Sequence, residues 1–375
     1  MKATILFLSI LLSSNIATAS EQSKLISVPV VFLEALAPRD TTSSERFQKE
    51  YEGAITTAKA LAKSELTKCG YSISEQTVFY DASDSLQALE RAKKAESEGA
   101  WLLVGPRRSN HFLLLAKGAP NTASVSTMAS SREVAELAPS HLTMAPSNDE
   151  MARIAAIDTK DRIKGKEATY LSAISEDCLM CVDFAESFDR HAKQIGIKKL
   201  GEVKFVGESP DFAALKAAVS KHQPTVVLLP NYSKVSAQAM ANLATNHPDL
   251  LYVGGDGWGD SSFGFVQNSP NVERVRGLTV RGFPPADRGL EMFPLGKSLL
   301  KSSDASLQKP GSGSALAILR IIEGVKDTLC TARPKTNSDF RSAFMKMGRK
   351  NFMPPWGVSI YTLAGGQIRY DKTRR

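Results

Sequence analysis

The sequence predicts an α/β protein of two similar lobes, each a parallel sheet covered by helices, joined by a hinge. Three observations carry that prediction. Short apolar runs alternate with amphipathic helical stretches along most of the chain, which is the pattern of βα units whose strands lie parallel. The alternation runs twice, with a join near Pro146 to Glu150. The chain, at 375 residues, is also too long for one core, since cores tend to split beyond about 250–300 residues.

The elements follow in order. Lys2, the apolar run Ile5 to Leu12 and the small residues Ala17-Thr18-Ala19 before Ser20 read as a secretory signal, residues 1–19, cleaved after about Ala19. The run is too short to span a bilayer, which takes about 20 apolar residues. No Cys follows the small residues, which argues against a lipid anchor. Val28 to Leu33 then reads as a buried strand, Ser44 to Leu66 as a helix and Thr77 to Tyr80 as a strand. Ser83 to Ser97 reads as a helix capped by Ser83 or Asp84, Ala100 to Gly105 as a strand, Asn110 to Ala116 as a short helix and Ala123 to Ser126 as a strand. In the second run the strands are Glu167 to Ala173, Lys199 to Phe205, Thr225 to Leu229 and Leu250 to Val253. The helices between them are Asp183 to Ile195, Phe212 to Lys221 and Ser236 to Thr245. Leu278 to Phe283, a helix from about Ser314 to Leu329 and a strand at Gly357 to Leu363 close the chain. The expected division is residues 20–146 plus about 281–355 in lobe 1, and 147–280 plus about 356–375 in lobe 2.

Composition excludes several functions. The formal charge is +8, but Lys and Arg are mixed with acids, as in Glu90-Arg91-Ala92-Lys93-Lys94 followed by Glu96 and Glu98. No basic stripe with interleaved aromatics marks a nucleic-acid surface. The five His form no H-E-x-x-H or other paired metal spacing, and there is no G-x-S-x-G elbow or Walker A sequence. No catalytic residue, metal or cofactor is therefore expected. Gly311-Ser-Gly-Ser314 reads as a loop with Ser314 near a helix cap, and Gly254 to Asp260 lacks the spaced acids of a calcium loop. The four cysteines are Cys69, Cys178, Cys181 and Cys330, and export permits disulfides. Cys178-Leu-Met-Cys181 reads as a local disulfide, a pair of free thiols, or a redox or metal motif. Glu176 and Asp177 just before it work against the electropositive setting a redox thiol needs.

Ligands of open parallel sheets sit beyond the carboxyl ends of the strands. The loops in question are Gly105 to Asn110, Ser126 to Ser131, Pro230 to Ser233 and Gly254 to Asp260, all rich in hydrogen-bonding residues or glycine. These loops carry a resemblance. Tyr80-Asp-Ala-Ser-Asp84, a helix and Glu98-Gly-Ala-Trp-Leu-Leu-Val-Gly105 form one block. Val125-Ser-Thr-Met-Ala-Ser-Ser131 is a second, Asp211-Phe to Val227 with Pro-Asn-Tyr232 a third, and Val253-Gly-Gly-Asp256-Gly-Trp-Gly a fourth. In order and spacing they resemble the type I periplasmic binding proteins, specifically the branched-chain amino acid (Leu/Ile/Val) subgroup of ABC transporters, over nearly the whole mature chain.

The resemblance implies two Rossmann-like lobes that close around a small ligand, an amino acid or analogue. It implies a monomer in the periplasm that presents this ligand to an inner-membrane ABC permease. A ligand-sensing subunit for a membrane signalling receptor is the alternative, and a redox protein using Cys178 and Cys181 a more distant one. The resemblance places the ligand's α-carboxylate on Ser109, Ser130 and the backbone around Met128, and its α-ammonium on Asp256 and Tyr232. A carboxylate suits a nest of N–H and O–H donors, and an ammonium suits a carboxylate in a desolvated cleft. Arg107 and Arg108 depart from the family's small neutral loop and could reach an anionic group. Trp258 could wall the pocket. The family's early disulfide would join positions that are Ser83 and Arg108 here, so the expected pairing is Cys69 with Cys330.

Overall fold

The computed structural model describes residues 25–36, 41–163, 167–207, 211–258, 272–352 and 356–374. The expected signal at 1–19 lies outside the described residues, as do Gly259 and Asp260 of the fourth loop. Val28, Val30 and Phe32 of β1 (Ile26–Leu36) enter one core, and Val31 and Leu33 enter another. A strand that is apolar on both faces has to be covered on both. α1 (Thr41–Cys69) covers the first face through Tyr51, Ile55, Ala58 and Leu66. α2 (Leu86–Ser97) and α3 (Ser109–Gly118) cover the second through Ala92, Ala95, Phe112 and Leu115. With β2 (Tyr71–Asp81), β3 (Leu102–Val104), β4 (Ala123–Ser126) and β5 (His141–Thr143), β1 forms a five-stranded sheet in the order β2-β1-β3-β4-β5. Every pairing in it is parallel. α4 (Arg132–Ala135) is a single turn between β4 and β5.

The second half repeats the plan. Tyr170 and Ile174 of β6 (Thr169–Ser175) share a core with α5 (Asn148–Arg162) and α6 (Leu179–Gln194). Leu171 and Ala173 share the other with α7 (Phe212–His222) and α8 (Ser233–Ala244). The remaining strands are β7 (Lys198–Phe205), β8 (Val226–Leu228), β9 (Leu251–Gly254), β10 (Arg276–Arg281), β11 (Val358–Ala364) and β12 (Gln367–Arg374). The seven-stranded order is β12-β11-β10-β9-β8-β6-β7. β11 and β12 are antiparallel additions at one edge, joined through Gly365 and Gly366. Both glycines have positive φ, the backbone a two-residue hairpin turn needs. Without that hairpin the order is β7-β6-β8-β9-β10, the same as in the first sheet.

After β10 the chain returns to the first half. α9 (Ala286–Leu290), α10 (Pro294–Lys301), α11 (Gly313–Ala332) and α12 (Asn337–Phe352) place Leu290, Leu295, Leu316 and Phe340 in the core that contains β1 and α1. α11 is apolar and buried around most of its girth, Ala315 to Leu319 included, as a helix enclosed on all sides must be. Its end is tied to the end of α1 by a disulfide between Cys69 and Cys330, and Cys178 is bonded to Cys181. Among the described residues no helix is long and apolar enough to cross a membrane.

Several bounds differ from expectation. α2 begins at Leu86 because the acids before it build turns: Asp81 accepts from the Ser83 N–H and hydroxyl, and Asp84 accepts from the Leu86 N–H. α6 begins at Leu179, four residues before the expected start, with Cys178 in the cap position. α8 begins at Ser233. The cap of α11 is Ser312, whose hydroxyl accepts from the Ala315 N–H, and not Ser314. β5, α5, α9, α10, α12 and β12 were not expected.

Two outcomes follow from this packing. Gly105 has φ +89° and an added Cβ would stand 2.2 Å from the Leu33 carbonyl oxygen, so Gly105→Ala is expected to destabilise the protein by about 2–4 kcal/mol in denaturant unfolding. Replacing Cys69 and Cys330 together by Ser opens a bridge across a sequence separation of 261 and is expected to cost about 2–4 kcal/mol by the same measurement.

Candidate functional site

In each sheet the strand order reverses beside the first strand, between β1 and β3 and between β6 and β8, which opens a crevice at the carboxyl ends. The loops leaving those ends meet each other. The Ser130 hydroxyl donates to Asp256 Oδ2 at 3.4 Å. The Arg108 guanidinium carbon lies 5.4 Å from the centre of the Tyr232 ring. The Arg132 N–H and the Asn148 side-chain amide both donate to Asp183 Oδ2, each at 2.9 Å. Between the two halves lies a cavity of about 130 Å³, walled by Arg108, Ser109 and Asn110 on one side and by Asp177, Asn231 and Tyr232 on the other. The Cys178–Cys181 turn forms part of its floor. Sites for drug-sized molecules usually measure about 300–1,000 Å³, so this cavity is suited to something smaller. A larger hollow of about 1100 Å³ includes Thr225, Leu251 and Arg276 in its lining. It opens at the amino ends of β8, β9 and β10, away from the meeting loops.

The serines of the first half do something other than expected. Ser109 opens α3 and is buried, and its hydroxyl oxygen accepts from the N–H groups of Ser130 and Ser131, each at 3.2 Å. Ser126 Oγ accepts from the N–H groups of Met128 at 3.3 Å and Ala129 at 2.9 Å, and donates to the Pro106 carbonyl. Asp183 takes the Arg132 N–H. The N–H groups from 128 to 132 are thus all engaged inside the protein, and the expected backbone nest for a carboxylate around Met128 is filled. The Met128 side chain faces α11, where the Ser314 hydroxyl donates to its sulfur at 3.1 Å.

The remaining candidates separate by environment. Burial pushes the Asp256 carboxyl up to about 6, against the Ser130 hydrogen bond and the more distant positive charge of Arg281, both of which lower it. Tyr232 stands just before α8 with its ring exposed beneath Arg108. Trp258 does not wall the cavity. It is buried in the core of the second half, its ring lies against Gly254, and its indole N–H donates to the Leu229 carbonyl at 2.9 Å. Arg107 turns into the first half, where its guanidinium lies 4.1 Å from the centre of the Phe47 ring and its Nε 3.7 Å from Glu34 Oε1. Glu34 is fully buried, and burial raises its carboxyl despite Arg107. Arg108 alone of the two arginines lines the cavity.

Cys178 Sγ accepts from the Cys181 N–H at 3.3 Å, and both sulfurs belong to their disulfide. Among the described residues no group of three or more His, Cys, Asp or Glu is placed to hold a metal. Sequence reasoning missed Asp183 and Asn231. Asn231 is buried and joins the ends of β6 and β8, accepting from Ser175 N–H at 2.9 Å and donating to the Ala173 carbonyl at 2.8 Å. Its place beside Tyr232 in a loop singled out above was a usable signal. Asp183 had none, since an acid on a helix reads as solvated until its neighbours are known.

No protein-family profile matches the sequence, and no curated protein sequence matches it. Solved structures do match in fold. A leucine-binding protein from Thermotoga maritima superposes with a TM-score of 0.71 at 14% identity, over 92% of this chain and 98% of that one. An amino-acid ABC transporter substrate-binding protein from Pseudomonas fluorescens gives 0.70 at 13%, over 93% and 96%. An ABC transporter solute-binding protein from R. palustris, solved in complex with benzoate, gives 0.68 at 16%, over 92% and 96%. The two facing sheets of duplicated strand order, covered by helices, are the α/β two-lobe fold of the type I periplasmic binding proteins.

Proposed function

We propose that this is an exported solute-binding protein that takes up an amino acid or similar small polar ligand between its lobes. It delivers that ligand in the periplasm to an inner-membrane ABC permease and catalyses no reaction. The lobes of this reading are residues 20–146 with about 281–355, and 147–280 with about 356–375, and ligand binding draws them together about the passages between them. The observation that carries the reading is the meeting of two sheets at their carboxyl ends around a polar cavity, with Ser130 of one half bonded to Asp256 of the other. Solved proteins of similar fold named for leucine, amino acids and benzoate support a small-molecule ligand.

Within this reading Asp256 exchanges Ser130 for the ligand's ammonium group, with Tyr232 beside it. Ser109 and Ser126 act one step back, holding the 128–131 loop in shape. A carboxylate half-buried between lobes without a close cation is unfavourable, so the ligand-free protein keeps Asp256 ionised only at a cost in stability. Asp256 titrates near 6 in the fold against an ordinary 3.8. Its contribution to stability is therefore fully present below about pH 4 and is lost as pH rises through about 6.

Three measurements test this. A thermal-shift screen over amino acids, small carboxylates and amides is expected to find a ligand that raises the melting temperature, and a ligand at about 100 times its Kd adds about 2.7 kcal/mol. A screen in which nothing raises it rejects the reading. Asp256→Asn is expected to stabilise the ligand-free protein by about 1–2 kcal/mol at pH 7.5 and to leave it unchanged at pH 4. The same variant is expected to weaken amino-acid binding by about tenfold or more in calorimetry, and undiminished affinity removes Asp256 as the ammonium partner.

A further inference from the structure

We infer that Arg108 receives the anionic group of the ligand, so that the ligand is a carboxylate held by a guanidinium and not by backbone N–H groups. The inference rests on the solute-binding reading and narrows its ligand class.

The first ground is the backbone of the segment after β4. The backbone donors on which the resemblance places a carboxylate are the N–H groups around Met128, and from residue 128 to 132 each already has an acceptor: Ser126 for two, Ser109 for two, Asp183 for the last. An anion placed there would have to displace well-made hydrogen bonds inside the protein.

The second ground is the contrast between adjacent arginines. Arg107 is engaged by Glu34, through its guanidinium and its backbone N–H, and by the Phe47 ring. Arg108 is half-buried at the cavity wall, yet its guanidinium meets only the Ala82 carbonyl, at a long 3.4 Å, and the Tyr232 ring. No carboxylate of the described residues pairs with it. A guanidinium in a cleft with most of its donors unspent is suited to a planar, two-oxygen anion, which it grips by parallel N–H bonds.

The third ground is the surroundings. His111, in the helix that follows Arg108, is held to about 4 by burial and by the charge of Arg108, so it is neutral at physiological pH and adds no second cation. Its Nδ1 is bonded to the Tyr80 hydroxyl. Asp177 lines the same cavity, but its Oδ1 is tied to the Ser175 hydroxyl and the Gly207 N–H, which fix the turn after β6, and the residue is exposed at the rim. Ser109 lines the cavity and also holds Ser130, while Gly257 abuts Met180 and Asn231 in the opposite wall. Asp256, bonded to Ser130, does not line this space; its chain neighbour Gly257 abuts two residues of the wall. A ligand whose carboxylate meets Arg108 stands between the lobes, since Arg108 and the Tyr232 beneath it belong to opposite halves.

The test compares acids with their primary amides, which keep shape and lose charge: leucine against leucinamide and benzoate against benzamide, by calorimetry on residues 20–375. The wild type is expected to prefer the acid by about 50-fold in at least one pair. Arg108→Gln is expected to reduce that preference to about fivefold or less with an unchanged melting temperature. Arg108→Lys, which keeps the charge but not the fork, is expected to fall between the two. A wild type that binds amides as tightly as acids, or an Arg108→Gln variant that keeps the full preference, overturns the inference. Should the glutamine variant not fold, the wild-type ratio and the lysine variant still decide. Binding of neutral solutes alone sinks the inference and leaves the solute-binding reading standing, whereas binding of nothing in the wider screen sinks both.

Discussion

A parallel sheet cannot leave either face in water, and most of this structure follows from that constraint. β1 sends Val28, Val30 and Phe32 one way and Val31 and Leu33 the other, so helices have to lie on both faces and each crossover has to return over the sheet. Parallel strands bring all their carboxyl ends to one edge. Repeated in the second half with the same strand order, the constraint yields two edges of loops, and the loops of Ser130 and Asp256 are where these edges meet. The polar residues of the site are thus carried on rigid supports whose geometry is decided by apolar residues elsewhere.

The loops themselves are stiffened by side chains acting in place of secondary structure. Two serine hydroxyls, Ser109 and Ser126, satisfy four successive backbone N–H groups after β4, and Asn231 does similar work between β6 and β8. Such satisfaction is required of buried backbone, and it also removes those donors from ligand chemistry. The charged side chains that line the cavity are Arg108 and Asp177, and the half-buried Asp256 stands at the contact between the halves. Charged side chains, unlike backbone donors, make recognition dependent on pH and on the exact shape of the ionic group.

Much of the fold was legible because its signals are local. Runs such as Leu102–Val104 and Val226–Leu228, buried on both faces, read as strands from their apolar continuity. The sequence Cys178-Leu-Met-Cys181 did not reveal that its helix starts at Leu179, since the cap is a cysteine and not one of the usual oxygen-bearing residues. β12 is polar along most of its length because it lies at a sheet edge, where alternation with solvent gives little apolar pattern to read. In the site, the loops of Asp256, Tyr232 and Ser130 were legible from their place after strands and the residues themselves from the family resemblance, and the structure brings them to the meeting of the loops. Trp258 was misplaced, because a large aromatic after a strand reads the same whether it turns to the cleft or, as here, back against Gly254 into the core. The division of labour between Arg107 and Arg108 was also hidden, since it depends on Glu34 and Phe47, which are distant in sequence.

The bridge between Cys69 and Cys330 has a consequence for the order in which the chain acquires its structure. The core around β1 is completed by α10, α11 and α12, which come after every parallel strand of the second sheet. A chain that emerges N-terminus first presents β1, α1 and β2 long before the segments that cover them. The strands β6 to β10, by contrast, are contiguous and lie wholly inside the span closed by that bridge. The parallel part of the second sheet can therefore pair first, before β11 adds Val358 and Ile360 to its core, while the earliest-emerging segment keeps an apolar face uncovered and a thiol unpaired until residue 330 arrives. The sulfur bond, once made, marks the completion of that core.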